Sequence, residues 1–530
     1  MIVSIFNDVI GPVMRGPSSS HCAAALRIGR LARDLMEGQL DDLLVEFDRN
    51  GSLPTTHESQ GSDMGLFGGL LGWQADDERL PGSSQTLRES GVQIRIETVD
   101  AGDDHPNTYR LTLQNGREQH SLIGISTGGG MIEVIAVDGF KVSIFGDYYE
   151  TLLWVDGDGA AVARRLPELF EAEEVLLHQA AGRQLLEVKA AKFPSEETIA
   201  ALRTIAPIHH VKRLSPVLPV LSRKGLQVPF KTCEEMLRYD AGRNKPLWTL
   251  AVEYESARGN LTEAEVLAKM LENVRILRRS IQQGIAGTQY EDRVLGHQCG
   301  KFAELMRSGH LLDGGALNRI VLYVTALMEV KSSMGVIVAA PTAGACAALP
   351  GAVIAMAEEM KLSQEDMAKA LLASGLIGVF IATRWTFAAE VGGCQAEGGS
   401  AASMAAAALV ALANGTLPQA VAAASMAFQS MLGLICDPVA NRVEVPCLGK
   451  NVLAASNALS CANMALAGYD PVIPFDEVVE TAQRVAGQMP RELRCTALGG
   501  LSITKTSLAI EEKLATKKAA ACGARSCSCA

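Results

Sequence analysis

Excess positive charge is what this sequence lacks first. Its 530 residues carry 48 Lys and Arg against 59 Asp and Glu, a net charge of -11. An extended nucleic-acid surface needs a basic footprint, and a polybasic membrane anchor needs clustered Lys and Arg. Neither is present, so no nucleic-acid and no membrane partner is expected. The opening stretch MIVSIFNDVIGPVMRGPSSSH has no basic segment followed by a long apolar one, which argues against a secretory signal and for a cytoplasmic location. A long unbroken apolar run is also missing. The nearest, Met334 to Met356, is interrupted by Pro341, Thr342, Gly344, Pro350 and Gly351, which predicts short buried helices joined by a tight turn. Finally, 12 cysteines are too few in so long a chain for a disulfide scaffold. Reduced thiols fit better, and there metal binding is favoured over bridging.

What is present suits a multidomain enzyme, with 48% hydrophobic and 20% charged residues. The expected fold class is an α/β N-terminal domain (1–147), a ferredoxin-like, ACT-like βαββαβ module (148–222) and an all-α catalytic domain (237–515). A linker (223–236) and a cysteine-containing tail (516–530) complete the chain. In the first domain a helix after Ser20 places Ala24, Ile28, Leu31 and Leu35 on one face, with Arg27, Arg30, Arg33 and Asp34 largely opposite. LLVEFD, VQIRIETV, TYRLTLQ and SLIGIST read as strands, with glycine clusters GLFGGLLG and STGGGM between them. In the module, YETLLWVD, EEVLLHQA, RQLLEVKA and HHVKRLSPV read as strands. GDGAAVARRLPELFEA and SEETIAALRTIA read as helices, the second capped by Ser195. Beyond residue 225 the apolar spacing is helical throughout, and alanine and glycine dominate the expected core.

Three cysteines carry the strongest chemical signal. Cys394, Cys436 and Cys447, 42 and 11 residues apart, each have Gly or Pro within three residues, which places them at bends. Three converging thiolates leave one coordination position of a metal centre open. Cys394 precedes an expected helix near Ser400, Cys436 is expected to end an apolar helix, and Cys447 follows Pro446. The competing reading is that small buried thiols fill an alanine-rich core. A second group, Ser18, Ser19, Ser20 and His21, offers hydroxyls and helix-start amides to a carboxylate, or simply caps a helix. A third, GSLPTTHESQGSD, holds Ser52, His57, Glu58 and Asp63, with His57 and Asp63 suited to moving protons. The turn APTAGACA offers Thr342 to a ligand, or merely joins two helices.

In order along the chain, GPSSSH, GSL, GGLLG, DER, GGG, APTAG, GGCQAE, SMAAAA, LGLICDPVA, VEVPC and MALAG resemble the bacterial iron–sulfur L-serine dehydratases (L-serine ammonia-lyases). The likeness covers nearly the whole chain and is densest from about 390 to 470. It implies a single-chain arrangement of a β-part, an ACT-like module and a catalytic α-part. It implies a [4Fe–4S] cluster on Cys394, Cys436 and Cys447, and conversion of the small amino acid L-serine to pyruvate and ammonia without a Schiff-base lysine. It also implies a homodimer, and a tail cysteine, assigned to Cys529, that caps the reactive iron.

The chain departs from that pattern where relatives carry Gly-His-Gly-Thr-Asp and it has Ser59-Gln60-Gly61-Ser62-Asp63. Glutamine cannot act as a base, which leaves His57 as the substitute. Cys22 stands in place of a threonine, Lys450 in place of an arginine, and Arg384 and Trp385 are bulky. Arg384 is suited to an additional substrate carboxylate. The sequence therefore leaves open a serine dehydratase, a related lyase for another small β-substituted acid, and a silent cluster-containing regulator.

Overall fold

A computed structural model of the chain describes residues 2–526. Contacts divide it into a sheet unit, Ser20–His57 with Ser62–Gln227, and a helical unit, Met1–Ser19 with Glu58–Gly61 and Val228–Ala530. The division does not fall at residue 147: the first nineteen residues group with the helices, and the four-stranded module groups with the N-terminal sheet. Strands are numbered in chain order. β1 (Val13–Arg15) and β12 (Val336–Val338) pair antiparallel within the helical unit.

The sheet unit holds a six-stranded sheet made of β2 (Asp42–Asp48), β3 (Gln93–Val99), β4 (Thr108–Gln114), β5 (Gln119–Gly128), β6 (Met131–Val137) and β7 (Phe140–Ile144). Its order is β3-β2-β4-β5-β6-β7, with only β2 and β3 parallel. The helix Ala24–Leu35 buries Ala24, Ile28, Leu31 and Leu35 as the spacing predicts. Arg27 does not follow the expectation. It is buried, and its guanidinium donates to the Gly130 carbonyl at 2.6 Å, which satisfies a charge that periodicity alone assigns to solvent.

The glycine cluster GLFGGLLG falls largely in a helix, Ser62–Leu70. The glycines let it lie against Ala24–Leu35: a Cβ on Gly65 would sit 2.0 Å from the Cys22 carbonyl oxygen, and one on Gly69 2.1 Å from that of Leu26. Here glycine serves close backbone approach, not a turn.

The second sheet runs β11-β8-β10-β9, all antiparallel, from β8 (Tyr149–Val155), β9 (Glu174–Ala180), β10 (Arg183–Ala190) and β11 (Ile208–Leu214). With helices Gly159–Leu169 and Glu196–Arg203 the order is βαββαβ. Ser195 accepts from the Thr198 amide at 3.2 Å as an N-cap, and Ala181-Gly182 turn the β9–β10 hairpin with positive φ. Leu153, Val155, Leu186 and Val188 face the two helices. Leu152, Trp154 and Leu185 join the core of the larger sheet.

The helical unit packs small side chains. Helix Ser400–Leu412 is buried along almost its whole length and meets Gln364–Arg384, Leu417–Gln429 and Cys447–Leu466. Alanine allows these backbones to approach closely, and burial rather than amphipathicity defines the central helix. Gln364–Arg384 is long and apolar enough to cross a membrane, but 78% of its apolar window is buried within the structure, as in a core helix. The stretch Met334–Met356 differs from the expected pair of helices. It forms β12, a turn, and one helix, Ala348–Glu359, because Ile337 and Val338 are drawn into pairing with β1. The segment read as a linker already contains the start of helix Cys233–Asp240, with Phe230, Cys233 and Met236 buried.

Candidate metal centre

Cys394, Cys436 and Cys447 are each less than a tenth exposed, and all lie in the helical unit. Cys394 precedes a wide helical turn, Gln395–Gly399, that leads directly into Ser400–Leu412. Cys447 opens Cys447–Leu466. Cys436 is not the end of a helix as expected, since Leu417–Gln429 stops seven residues earlier. Instead its amide donates to the Leu493 carbonyl at 2.9 Å, and it bridges Arg494.

That bridge introduces a residue the sequence reading missed. Cys495, equally buried, packs with Cys394, Cys436, Ala389 and Leu434. No signal pointed to it, because it lies 48 residues beyond Cys447 and outside the glycine- and proline-flanked motifs.

The electrostatics are those of crowded sulfur. Hydrogen bonds to Cys394 and Cys495, then burial, push the Cys436 thiol well above its ordinary range. For Cys447 burial leads, followed by the neighbouring Cys394. A hydrogen bond from Cys436 favours the Cys495 thiolate, but burial and the charges of Glu390, Glu397 and Cys394 outweigh it, and this thiol too is raised. Thiolates here are costly unless a cation compensates them, and metal binding provides that compensation.

One fixed cation is already near. Lys450 Nζ lies 3.7 Å from Cys394 Sγ, 2.7 Å from Asp437 Oδ1 and 2.6 Å from the Ile435 carbonyl. Burial opposes its charge, yet the Cys394 sulfur and Asp437 hold it above the usual lysine range. A buried, largely thiol donor set with an adjacent ammonium fits an anionic iron–sulfur cluster, which is held by cysteine and tuned by hydrogen bonds to sulfur.

The remaining candidates fall into two sets. In the helical unit the Thr342 hydroxyl donates to Glu397 Oε1 at 2.8 Å and accepts from the Ala345 amide at 3.1 Å. Burial raises Glu397, with Thr342, Lys331 and Lys450 pulling against it. Ser19 Oγ accepts from the Ala343 amide at 3.1 Å, so Ser19 and the APTAG turn are brought together. Ser18 is buried in the same unit. Arg384 is committed elsewhere. Its guanidinium donates to Glu480 at 2.6 Å and lies 3.3 Å from Asp476, so two carboxylates of the chain already pair with it. Gln60 is buried, donating to Asn441 Oδ1 at 3.0 Å and lying 3.9 Å from Cys495 Sγ.

In the sheet unit His57 Nδ1 and Asp63 Oδ1 are 2.8 Å apart. His21 Nε2 meets Thr56 Oγ1 at 2.8 Å, and Thr56 in turn donates to the Ser52 carbonyl at 2.7 Å. Burial, helped by His57, depresses His21 to about 3, so it is a neutral donor to Thr56. Ser52 Oγ donates to Asn107 Oδ1, and Ser20 is buried. Cys529 lies outside the described residues.

Comparison with known proteins follows this division. The family described as "Serine dehydratase alpha chain" matches residues 242–502. The chain is 35% identical over 285 residues to the probable L-serine dehydratase alpha chain of Bacillus subtilis, covering 54% of this chain and 95% of that one. It is 41% identical over 145 residues to the same organism's probable beta chain, covering 27% of this chain and 64% of that one. Against the L-serine dehydratase of Haemophilus influenzae the identity is 32% over 502 residues, 92% of this chain and 96% of the relative. The chain therefore belongs to the L-serine dehydratase family, in its single-chain form.

Proposed function

We propose that this protein is a lyase that dehydrates L-serine to pyruvate and ammonia, using a [4Fe–4S] cluster held by Cys394, Cys436 and Cys447. The observation that carries the reading is the buried sulfur group beside Lys450, in a chain related along its length to L-serine dehydratases. When bound, the cluster supplies a Lewis-acidic iron that polarises a substrate oxygen.

The chain's own residues supply the rest. The His57–Asp63 pair is the candidate for moving protons. Ser18, Ser19 and Ser20 offer hydroxyl donors to the substrate carboxylate. Neutral His21 and Ser52 hold the Thr56 and Asn107 side chains that shape the loop carrying His57. Removal of the α-proton and the β-hydroxyl leaves an enamine. It tautomerises to an imine and hydrolyses to pyruvate and ammonia.

The engagement of Arg384 by Glu480 and Asp476 supports serine over a substrate with a second carboxylate. The four-stranded module is read as an ACT-like regulatory element on its βαββαβ order, and a cytoplasmic homodimer is proposed from the family resemblance alone.

The test is anaerobic purification followed by assay of L-serine, L-threonine, L-cysteine and 3-hydroxyaspartate for ammonia and 2-oxo acid. Pyruvate from L-serine is expected, with iron and sulfide in cluster stoichiometry. Turnover confined to another compound overturns the substrate, and absence of iron and sulfide overturns the chemistry.

A further inference from the structure

Three buried thiols, Cys394, Cys436 and Cys495, pack together in the helical unit, with Cys447 coupled electrostatically to Cys394, and Cys495 has features that packing alone does not require. Cys495 touches Cys394 and Cys436 and shares a hydrogen bond with the latter. Its backbone is left-handed, with φ 52, in a residue that is neither glycine nor asparagine. Such conformations are retained where the surrounding structure holds them, and they concentrate at functional sites. The segment is held by the hydrogen bond from the Cys436 amide to the Leu493 carbonyl and by the bridge between Cys436 and Arg494. Gln60, the residue that replaces the expected histidine, directs its amide to Cys495 Sγ at 3.9 Å while anchored on Asn441 at 3.0 Å. Cubane clusters are most often held by four cysteines. This chain packs Cys495 against two of the three candidate ligands, Cys394 and Cys436.

We propose that Cys495 is the fourth sulfur ligand of the resting cluster, oriented by Gln60, so that the coordination position needed for substrate is closed from within the helical unit rather than by Cys529. The proposal rests on the [4Fe–4S] reading above. Turnover then requires the Cys495 thiolate to leave with its electron pair and to return after product departs, with no change in oxidation state. Gln60 acts as a positioning residue. It orients a sulfur ligand where a histidine would present a base.

The test uses the full-length protein, reconstituted anaerobically with iron and sulfide, as the native sequence, Cys495→Ala, Cys495→Ser and the tail triple substitution Cys522→Ser/Cys527→Ser/Cys529→Ser. Each is titrated with limiting ferricyanide, and bound iron and the three-iron electron paramagnetic resonance signal are followed. Expected is conversion of the Cys495 variants to the three-iron form with loss of one iron in four, while the native and tail-substituted proteins keep their iron. Conversion of the tail variant alone, or equal retention by Cys495→Ala, overturns the proposal. Mössbauer spectra of the tail-substituted protein without substrate give a test independent of folding in the Cys495 variants. Four all-sulfur iron sites support the assignment, and one distinct site with oxygen coordination overturns it. Failure of the native protein to hold iron and sulfide at all is a failure of the cluster reading itself, visible before any variant is compared.

Discussion

The two units bury polar chemistry in opposite ways. In the sheet unit, charges removed from water meet partners within the same module. Lys189 Nζ lies 3.3 Å from Glu150, 3.0 Å from Glu187 and 2.7 Å from the Ser143 carbonyl, and His178 meets Glu187 at 2.7 Å. Burial alone would lower Lys189, but the two carboxylates hold it above its usual range. One ammonium serves two carboxylates here, and burial raises Glu150 well above the usual carboxylate range, which favours its neutral form. In the helical unit Cys436 is raised by its sulfur neighbours and then by burial, and Cys447 by burial and then by Cys394. A buried thiol group with Lys450 beside it is compatible with a metal cofactor.

Four substitutions probe this contrast. Replacing a sulfur of the buried thiol group has the largest effect. Cys436→Ser is expected to abolish cluster retention and lower kcat/KM for L-serine by more than about a thousandfold, ~4 kcal/mol of transition-state stabilisation. Iron analysis alongside kinetics checks it, and unchanged iron content would remove Cys436 from the ligand set.

Disrupting the Lys189 network follows. Lys189→Met leaves Glu150 and Glu187 together without their cation and is expected to cost about 3–5 kcal/mol of sheet-unit stability. Denaturant unfolding measures this, and a change below about 1 kcal/mol would show that the network is not an energetic unit.

Next is the helix contact. Gly69→Ala places a methyl 2.1 Å from the Leu26 carbonyl oxygen and is expected to destabilise by about 1–3 kcal/mol. An unchanged unfolding midpoint would contradict the close approach.

The smallest effect is a slope. His21 is neutral at a native value of about 3 and protonates near 6.5 when unfolded. Unfolded chains therefore take up a proton that the native unit refuses. The contribution is fully present above pH 6.5 and falls by about 1.4 kcal/mol per pH unit as pH drops below it. His21→Asn should flatten the stability profile between pH 6.5 and 5. A profile unchanged by the substitution would refute a buried neutral histidine.

Much of the fold was legible where periodicity and burial agree. The face of Ala24–Leu35, the βαββαβ order and the Ser195 cap were all readable, since each depends on residues within one or two turns of each other. Legibility failed where partners are remote. The role of Gly65 and Gly69 was not legible, because their use is contact with another helix. Arg27 read as exposed because its acceptor is 103 residues away. Met334–Met356 read as helices because pairing of Val336–Val338 depends on Val13–Arg15.

The metal centre divides along the same line. Glycine, proline and local spacing singled out Cys394, Cys436 and Cys447 as candidates, and the structure finds all three buried in the helical unit. Cys495, its hydrogen bond to Cys436, the engagement of Arg384 by Glu480 and the placing of Gln60 beside sulfur were decided only by tertiary structure. Thiol chemistry is a property of the side chain and is written in the sequence. Which thiols meet depends on long-range packing, here the approach of the 493–495 segment to Cys436, and no local pattern carries that information.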